Sequence, residues 1–419
     1  MRILYAVDHY PPFIGGAHRQ GRLLATGMAA RGHQAAVATV WHVGLPDVEE
    51  EDGVEIHRIR QLRTAFPSRL RDTAQRHQPP FPDPLTVGRL RRLIARFQPD
   101  LVHAYGWFAY SAAAAIGRRA IPLLVSARDY GYFCATRTLL RRDAEPCSGP
   151  APRKCLDCAP VYYGRPTGWL AVLGVAACRP LLRRRMTGLH SVSNYVHEVT
   201  RKHLLPAGEE LPVEVVIPSF LAIAEDAEDG ADSDVDPYLS RLPAEPFILF
   251  VGAFRKAKGL EKLFAAYERL EDPPPLVLMG NWMHDAPSRI PEAAIVLEDA
   301  PHAAVMAAWD RALFGVMPSL WAEPLGATVA EAMSRGKAVI GTRPGGHSDL
   351  LSDDAGILVP QGDVPALTES MDRLIRDPEL RERLGRVAAE RARQFTAPVV
   401  LPRFEQAYRD VIAAAGEGS

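Results

Sequence analysis

Short apolar runs alternate with segments of helical period along most of this chain. Residues 2–7 (RILYAV) form the first run. A Pro/Gly-rich loop from His9 to Gly16 follows, and then a helical segment to about Arg31 with Leu23, Leu24 and Met28 on one face. Ala35–Val40 returns as a strand, and Leu101–Val102 and Leu123–Val125 follow prolines as further buried strands. This strand–helix rhythm predicts a parallel sheet covered by helices on both faces. The rhythm restarts at Phe247–Val251, after which Leu260, Leu263, Phe264, Tyr267 and Leu270 fall at helical spacing. Leu276–Met279, Ile295–Leu297, Leu313–Met317, Ala338–Ile340 and Gly356–Val359 are the strands expected next. Between the two halves lies an acidic run without a core-forming pattern, Glu225–Asp236, which reads as solvated linker.

A length of 419 residues suits two domains of this kind. The expected boundaries are a first domain at 1–205, a linker at 206–245, a second domain at 246–395 and a terminal helical segment at 396–419. Apolar residues make up 47% and charged residues 24%, which excludes a disordered or fibrous chain. The opening residues read as a buried strand and not a signal peptide, and no apolar stretch reaches a membrane span. With only five cysteines, the chain is expected in the reducing cytoplasm.

Charge adds what the overall net of −1 hides. Residues 1–205 hold 29 Lys/Arg against 15 Asp/Glu, while the remainder holds 20 against 35. A basic half suits an anionic lipid surface or a phosphate-bearing acceptor, or simply attraction between two halves of opposite sign. No aromatic platform or nucleic-acid module accompanies it, so a nucleic-acid partner is not expected.

Open α/β sheets bind ligands at the carboxyl ends of their strands, so two in tandem suggest a ligand held in a cleft between them. The most informative stretch is 317–346, MPSLWAEPLGATVAEAMSRGKAVIGTRPGG. A strand delivers the chain to Pro318 and Ser319, a loop carries Glu323, and a helix entered through Pro324, Leu325, Gly326 and Ala327 carries Glu331. Both glutamates can face one pocket, and the free N–H groups of the helix start suit sugar hydroxyls or phosphate oxygens. In Phe247–Leu260 (FILFVGAFRKAKGL) a strand ends at Gly252 and a cationic loop brings Arg255 and Lys258 toward a diphosphate. Gly15 and Gly16 allow close backbone approach after the first strand. His103 ends a strand, as a ligand or as a satisfied structural histidine, and Arg128-Asp129 follows another.

These motifs resemble glycosyltransferase family 4, retaining enzymes of the GT-B fold with two Rossmann-like domains facing each other across a cleft. The family's Glu-x7-Glu motif matches Glu323 and Glu331. By that resemblance Glu323 contacts hydroxyls of the transferred sugar and Glu331 the ribose of the nucleotide. Gly15-Gly16 matches the family's glycine pair, and Lys258-Gly259 its Lys-Gly. Two positions depart from the pattern. Ala253 stands where the family has an arginine, leaving Arg255 or Lys256 to replace it. Arg128-Asp129 stands where the family commonly has His-Asp near the reacting sugar. That makes Arg128 a candidate catalytic residue in the cleft, binding a phosphate or an anionic acceptor, with Asp129 on the acceptor side, or else makes the two a structural pair. The resemblance implies a nucleotide-sugar donor (UDP- or GDP-linked), a glycan or lipid-linked acceptor, catalysis without a metal, and a last helix, about Leu401–Ala415, crossing back to the first domain.

Two features stand outside this scheme. Cys134, Cys147, Cys155 and Cys158 fall in an insertion at 134–158, with spacings that leave structural zinc, free thiols and a disulfide all open. Gly168–Cys178 (GWLAVLGVAAC), followed by Arg179 and Arg183–Arg185, reads either as a buried helix or as an element lying on an anionic membrane. The latter would place the protein peripherally at the inner membrane face.

Overall fold

Two sheets organise the chain, each the core of its own unit. The computed structural model describes residues 1–8, 10–11, 16–62, 78–220, 235–283, 285–352 and 354–417. The first unit comprises Met1–Arg142, Ser148–Pro218 and Val400–Ser419; the second comprises Asp143–Cys147 and Ser219–Val399.

The first unit's sheet contains β1 (Arg2–Ala6), β2 (Gln34–Val40), β3 (Val48–Glu51), β4 (Val54–Ile59), β5 (Leu101–Tyr105), β6 (Leu123–Ala127), β7 (Gly188–Ser191) and β8 (Val213–Val216). Their order is β8-β7-β6-β5-β1-β2-β4-β3, and every neighbouring pair is parallel except β3–β4. Strands β5 and β6 are buried at every position, as a sheet covered on both faces demands. Helices α1 (Gly16–Ala30), α2 (Pro84–Phe97), α3 (Phe108–Ile116), α4 (Pro152–Tyr163), α5 (Thr167–Arg185) and α6 (Asn194–Leu204) connect them. Helix α2 begins sharply because the Asp83 carboxylate accepts from Thr86 N and Pro84 occupies the first turn.

The second unit's sheet contains β9 (Phe247–Val251), β10 (Leu276–Met279), β11 (Ala294–Leu297), β12 (Ala312–Met317), β13 (Val339–Arg343) and β14 (Ile357–Pro360), all parallel, in the order β11-β10-β9-β12-β13-β14. Renumbered from its own first strand this is 3-2-1-4-5-6, the dinucleotide-fold order, with its reversal point between β9 and β12. The helices are α7 (Leu260–Tyr267), α8 (His302–Arg311), α9 (Ala327–Ser334), α10 (His347–Leu351), α11 (Val364–Arg376) and α12 (Pro378–Ala392).

The expected linker at 206–245 is corrected in its first part: Val213–Val216 extends the first sheet by pairing with β7. The apolar V-E-V-V run is too short to announce itself beside the acidic run. Of that run, residues 221–234 lie outside the described residues, and Asp236–Leu239 forms a single helical turn. The last helix, α13 (Ala397–Glu417), belongs to the first unit from Val400 onward. It is fastened there by Arg31–Glu405 at 2.6 Å, by Arg403 donating to Val216 O at 2.8 Å, and by Leu401 packed where a Cβ on Gly27 would lie 2.8 Å away.

Candidate active site

Three loops at the carboxyl ends of β9, β12 and β13 build the site. The loop after β9 ends in a short 3₁₀ turn, Lys256–Lys258, and Gly259 takes φ +74°. A side chain there would meet Pro318 O at 1.9 Å, so only glycine lets this loop lie against the loop after β12. Leu320 N donates to Ala257 O at 2.8 Å, stitching the two loops together. From the third loop, Thr342 Oγ1 donates to Ser319 O at 2.8 Å. Gly346 seats on the Pro324–Leu325 turn so closely that a Cβ would stand 2.3 Å from Pro324 O.

At this junction Lys258 Nζ donates to Glu323 Oε1 at 2.7 Å. Ser319 Oγ (2.6 Å) and Trp321 Nε1 (2.7 Å) donate to the same oxygen. Glu323 is 7% exposed, so burial alone would raise its carboxyl pKa. The Lys258 ammonium, with the hydrogen bonds from Lys258 and Ser319, outweighs burial and holds the group below the ordinary carboxylate value. With all three donors on Oε1, Oε2 retains the capacity to accept from a ligand hydroxyl. Lys258 also sits 5.6 Å from the centre of the Trp321 ring.

Beneath the turn lies His347, buried and neutral: burial pushes its imidazole down to about 4. Thr342 N donates to its Nδ1 at 3.2 Å, which leaves the proton on Nε2. Gly326, at φ +103°, exists where it does because a Cβ would lie 2.7 Å from that ring.

The structure thus brings Lys258, Glu323, Pro324, Leu325 and Gly326 together at the reversal point, with Ala327 as the first residue of α9. Gly252 closes β9, its carbonyl so near Gly280 that a Cβ there would lie 1.9 Å away. Glu331 has a different partner, His302 at the start of α8, at 3.1 Å. Arg255 is not poised as an open cation. It lies between Asp143 and Asp285, 3.4 Å from each, because those carboxylates supply the compensation a mostly buried guanidinium requires.

In the first unit the expectations need correction. His103 is not an acceptor-side group: it is fully buried and doubly engaged, with Nδ1 2.9 Å from Tyr408 Oη and Nε2 2.7 Å from Ser126 Oγ. Ser126 continues to His190 Nδ1 (2.6 Å), and His190 Nε2 donates to Ile217 O (2.7 Å). Burial holds both imidazoles neutral, His190 down to about 3. Asp129 pairs with Arg137, not with Arg128: Arg137 Nε and Nη2 reach its Oδ2 at 2.9 and 2.6 Å, and Gly131 N donates to Oδ1. Arg128 lies over the Tyr105 ring at 5.7 Å, and desolvation lowers its pKa. Gly15 lies outside the described residues, and Gly16 opens α1. The cysteines are thiols, and among the described residues no three His, Cys, Asp or Glu side chains are grouped to hold a metal ion. Cys158 Sγ instead accepts from Arg142 N and donates to Leu140 O, and Cys134 Sγ meets Thr136 Oγ1 at 3.3 Å.

From sequence, Ser319 stood out only as the end of a strand, without its bond to Glu323, and neither Trp321 nor His347 was singled out. Ser319 and Trp321 stand four and two residues before Glu323, so proximity was the available signal; His347 offered none.

A buried carboxylate gripped by a lysine at the reversal point of a doubly wound sheet, in a chain with two such sheets, defines a two-Rossmann enzyme that handles an activated, anionic small molecule. Residues 15–216 match the family model described as "Glycosyl transferase 4-like domain", and residues 240–391 the model "Glycosyl transferases group 1". The chain therefore belongs to the family-4 glycosyltransferases, nucleotide-sugar-dependent enzymes of the GT-B fold. It is 25% identical to D-inositol 3-phosphate glycosyltransferase of Arthrobacter sp. (strain FB24), covering 94% of this chain and 90% of the relative. It is 24% identical to the glycogen synthase of Mycobacterium tuberculosis (strain H37Rv), covering 93% and 90%. Sucrose-phosphate synthase from Thermosynechococcus elongatus shares the fold at TM-score 0.71 and 19% identity, over 99% of this chain and 100% of that one. Anabaena HepE, solved with UDP-glucose, does so at TM-score 0.65 and 16% identity, over 96% and 98%.

Proposed function

We propose that this enzyme transfers a hexose from a UDP- or GDP-sugar, with retention of configuration, to a glycan or lipid-linked acceptor at the cytoplasmic side of the cell. The observation that carries the reading is the Lys258–Glu323 contact of 2.7 Å at the reversal point between β9 and β12. A sugar diphosphate arriving there competes for Lys258, which moves from one anion to a stronger one. Ser319 and Trp321 keep Glu323 in place when Lys258 leaves, so its carboxylate accepts hydroxyls of the transferred sugar. As the glycosyl–oxygen bond lengthens, negative charge grows on the departing phosphate. Lys258 and the N–H groups at the start of α9 stabilise that charge without requiring a metal. Glu331 takes the ribose, exchanging His302 for ribose hydroxyls. No enzymatic nucleophile is required if the acceptor hydroxyl attacks from the leaving-group face: its oxygen bonds the anomeric carbon as the bond to phosphate breaks, and its proton passes to the departing phosphate oxygen. The fold of HepE in complex with UDP-glucose supports a donor of this class.

A thermal-shift panel of UDP-, GDP- and ADP-sugars tests the donor, since binding to the folded state raises Tm. The nucleotide that stabilises the wild type and fails to stabilise Lys258→Ala identifies it. If no nucleotide sugar shifts Tm, the assignment of the site falls.

A further inference from the structure

Helix α5 presents an apolar face to solvent. Trp169 (41% exposed), Leu170 (54%) and Leu173 (58%) stand outward, and Ala176, Ala177 and Pro180 continue the same side of the helix. Val161, near the end of α4, is a further exposed apolar side chain at 60%, on the helix whose Leu156 O accepts from Trp169. The inner face is ordinary core, with Ala171, Gly174, Val175 and Leu182 buried, so both sides of this helix are apolar where a surface helix has one polar side. The Trp169 indole N–H already donates to Leu156 O at 3.1 Å, leaving its exposed surface apolar. A contiguous exposed patch of this kind marks a docking surface.

Charge selects the occupant. From Cys158 to His197 the sequence contains five arginines (165, 179, 183, 184 and 185) and not one Asp or Glu. The Arg165 guanidinium lies 5.6 Å from the Trp169 ring at one end, and Arg184 and Arg185 stand in the last turn of α5 at the other, where Arg183 is already paired with Glu209 at 3.0 Å. A second copy of this chain meeting the patch face to face would set arginine against arginine. Tryptophan and leucine between terminal arginines match the boundary of an anionic bilayer, where apolar side chains enter the acyl region and guanidinium groups stay among headgroup phosphates. No helix among the described residues is long and apolar enough to cross a membrane. We propose that the outer face of α5, with the adjoining end of α4, docks this enzyme in the plane of an anionic lipid surface.

Vesicle co-sedimentation of the purified full chain tests the proposal. The wild type is expected to sediment with phosphatidylglycerol-containing vesicles, and far less with phosphatidylcholine alone. Leu170→Glu and Leu173→Glu each lower the partition coefficient about tenfold or more, as loss of one buried leucine implies. Arg184→Gln with Arg185→Gln weakens binding to anionic vesicles and reduces its dependence on salt. The replaced side chains already face water, so Tm and donor-dependent nucleotide release in detergent-free buffer stay at wild-type values. Failure of the wild type to bind anionic vesicles overturns the proposal. So does equal binding by the leucine variants. A wild-type dimer that Leu173→Glu converts to monomer, without vesicle binding by either, assigns the face to a second copy and likewise overturns it.

Discussion

Each of the two sheets reverses its strand order once, and each places a buried carboxylate there, yet the two carboxylates are engaged differently. In the first unit Asp8 follows β1. Its Oδ1 accepts from Phe108 N at 2.7 Å, and its Oδ2 from Trp107 N and Arg137 Nη1 at 3.2 and 3.3 Å. Both oxygens are used by the protein, and the neighbouring Gly106 has no room for a Cβ, which would lie 2.1 Å from Oδ2. In the second unit Glu323 gathers three donors on one oxygen only. Burial raises the Asp8 pKa despite Arg137 and its backbone donors, whereas for Glu323 the lysine and its hydrogen bonds prevail over burial. A carboxylate with both oxygens claimed fastens a fold; one with an oxygen in reserve is equipped for a ligand.

The sharpest way to break this contrast is to delete both acids. Glu323→Ala is expected to lower the rate of nucleotide release in the presence of acceptor by about 10²–10³, roughly 3–4 kcal/mol of barrier, with Tm close to wild type. Asp8→Ala leaves two buried helix-start N–H groups without their acceptor, while Arg137 keeps Asp129, and is expected to destabilise the fold by about 2–4 kcal/mol. Its folded fraction should keep donor affinity. Initial rates and urea melts on the same two proteins decide the matter, and the contrast fails if Asp8→Ala loses donor binding while Glu323→Ala loses stability.

Acid discriminates next. His347, below the Glu323 turn, has its pKa lowered to about 4 from the ordinary 6.5. The unfolded chain therefore takes up a proton in a range where the folded chain does not. The stability contributed is complete above about pH 6.5 and is lost as pH falls toward 4, by about 2 kcal/mol at pH 5 and about 3 kcal/mol at pH 4. Glu323, held below its ordinary value, acts in the same direction in a lower window, beneath 4.5. Urea melts of His347→Asn, whose amide oxygen replaces Nδ1 as acceptor for Thr342 N, should show a flatter slope between pH 7 and 5. An unchanged slope means that His347 is not the titrating group.

How much of this was legible in the sequence follows the range of the interactions. Parallel strands declare themselves by short apolar runs, so β9 through β14 and the positions of Lys258 and Glu323 after two of them could be read locally. That those strands are neighbours follows from the 3-2-1-4-5-6 order, a topological regularity and not a local pattern. His103 was ambiguous because its fate depends on Tyr408, 305 residues away. Val213–Val216 was hidden because a four-residue edge strand carries less signal than the acidic run beside it. Arg255 looked like a phosphate ligand because a cationic loop after a strand fits that role, and sequence does not reveal that Asp143 lies beside it.

The buried His103 network sharpens the comparison from the structural side. His103→Phe puts a larger apolar ring in a filled site and leaves Tyr408 Oη and Ser126 Oγ short of a partner, an expected loss of about 2 kcal/mol or more. Donor KM should stay within about twofold. On the donor side Lys258→Met also costs stability, because it leaves the buried Glu323 carboxylate without its cation, but it raises donor KM at least tenfold. Measuring both parameters on both variants distinguishes a fastening group from a binding group, and coincident changes in donor KM would dissolve the distinction.

Arg255 lies between these extremes, and its effect is expected to be the smallest. Its guanidinium stands between Asp143 and Asp285, so two carboxylates already meet its charge before a diphosphate arrives. Burial raises the Asp143 pKa, Arg255 opposes that rise, and Asp285 adds to it. Arg255→Ala therefore exposes two neighbouring carboxylates to each other and should lower stability by about 1 kcal/mol. Donor KM should change less than about threefold. Adding Asp143→Asn removes one of the two like charges and should recover most of the lost stability. A tenfold rise in donor KM in Arg255→Ala, not recovered by Asp143→Asn, would instead make Arg255 the second phosphate ligand, standing in for the arginine that Ala253 replaces. The donor side would then contain two cations, and Lys258 would cease to be the one group on which diphosphate recognition turns.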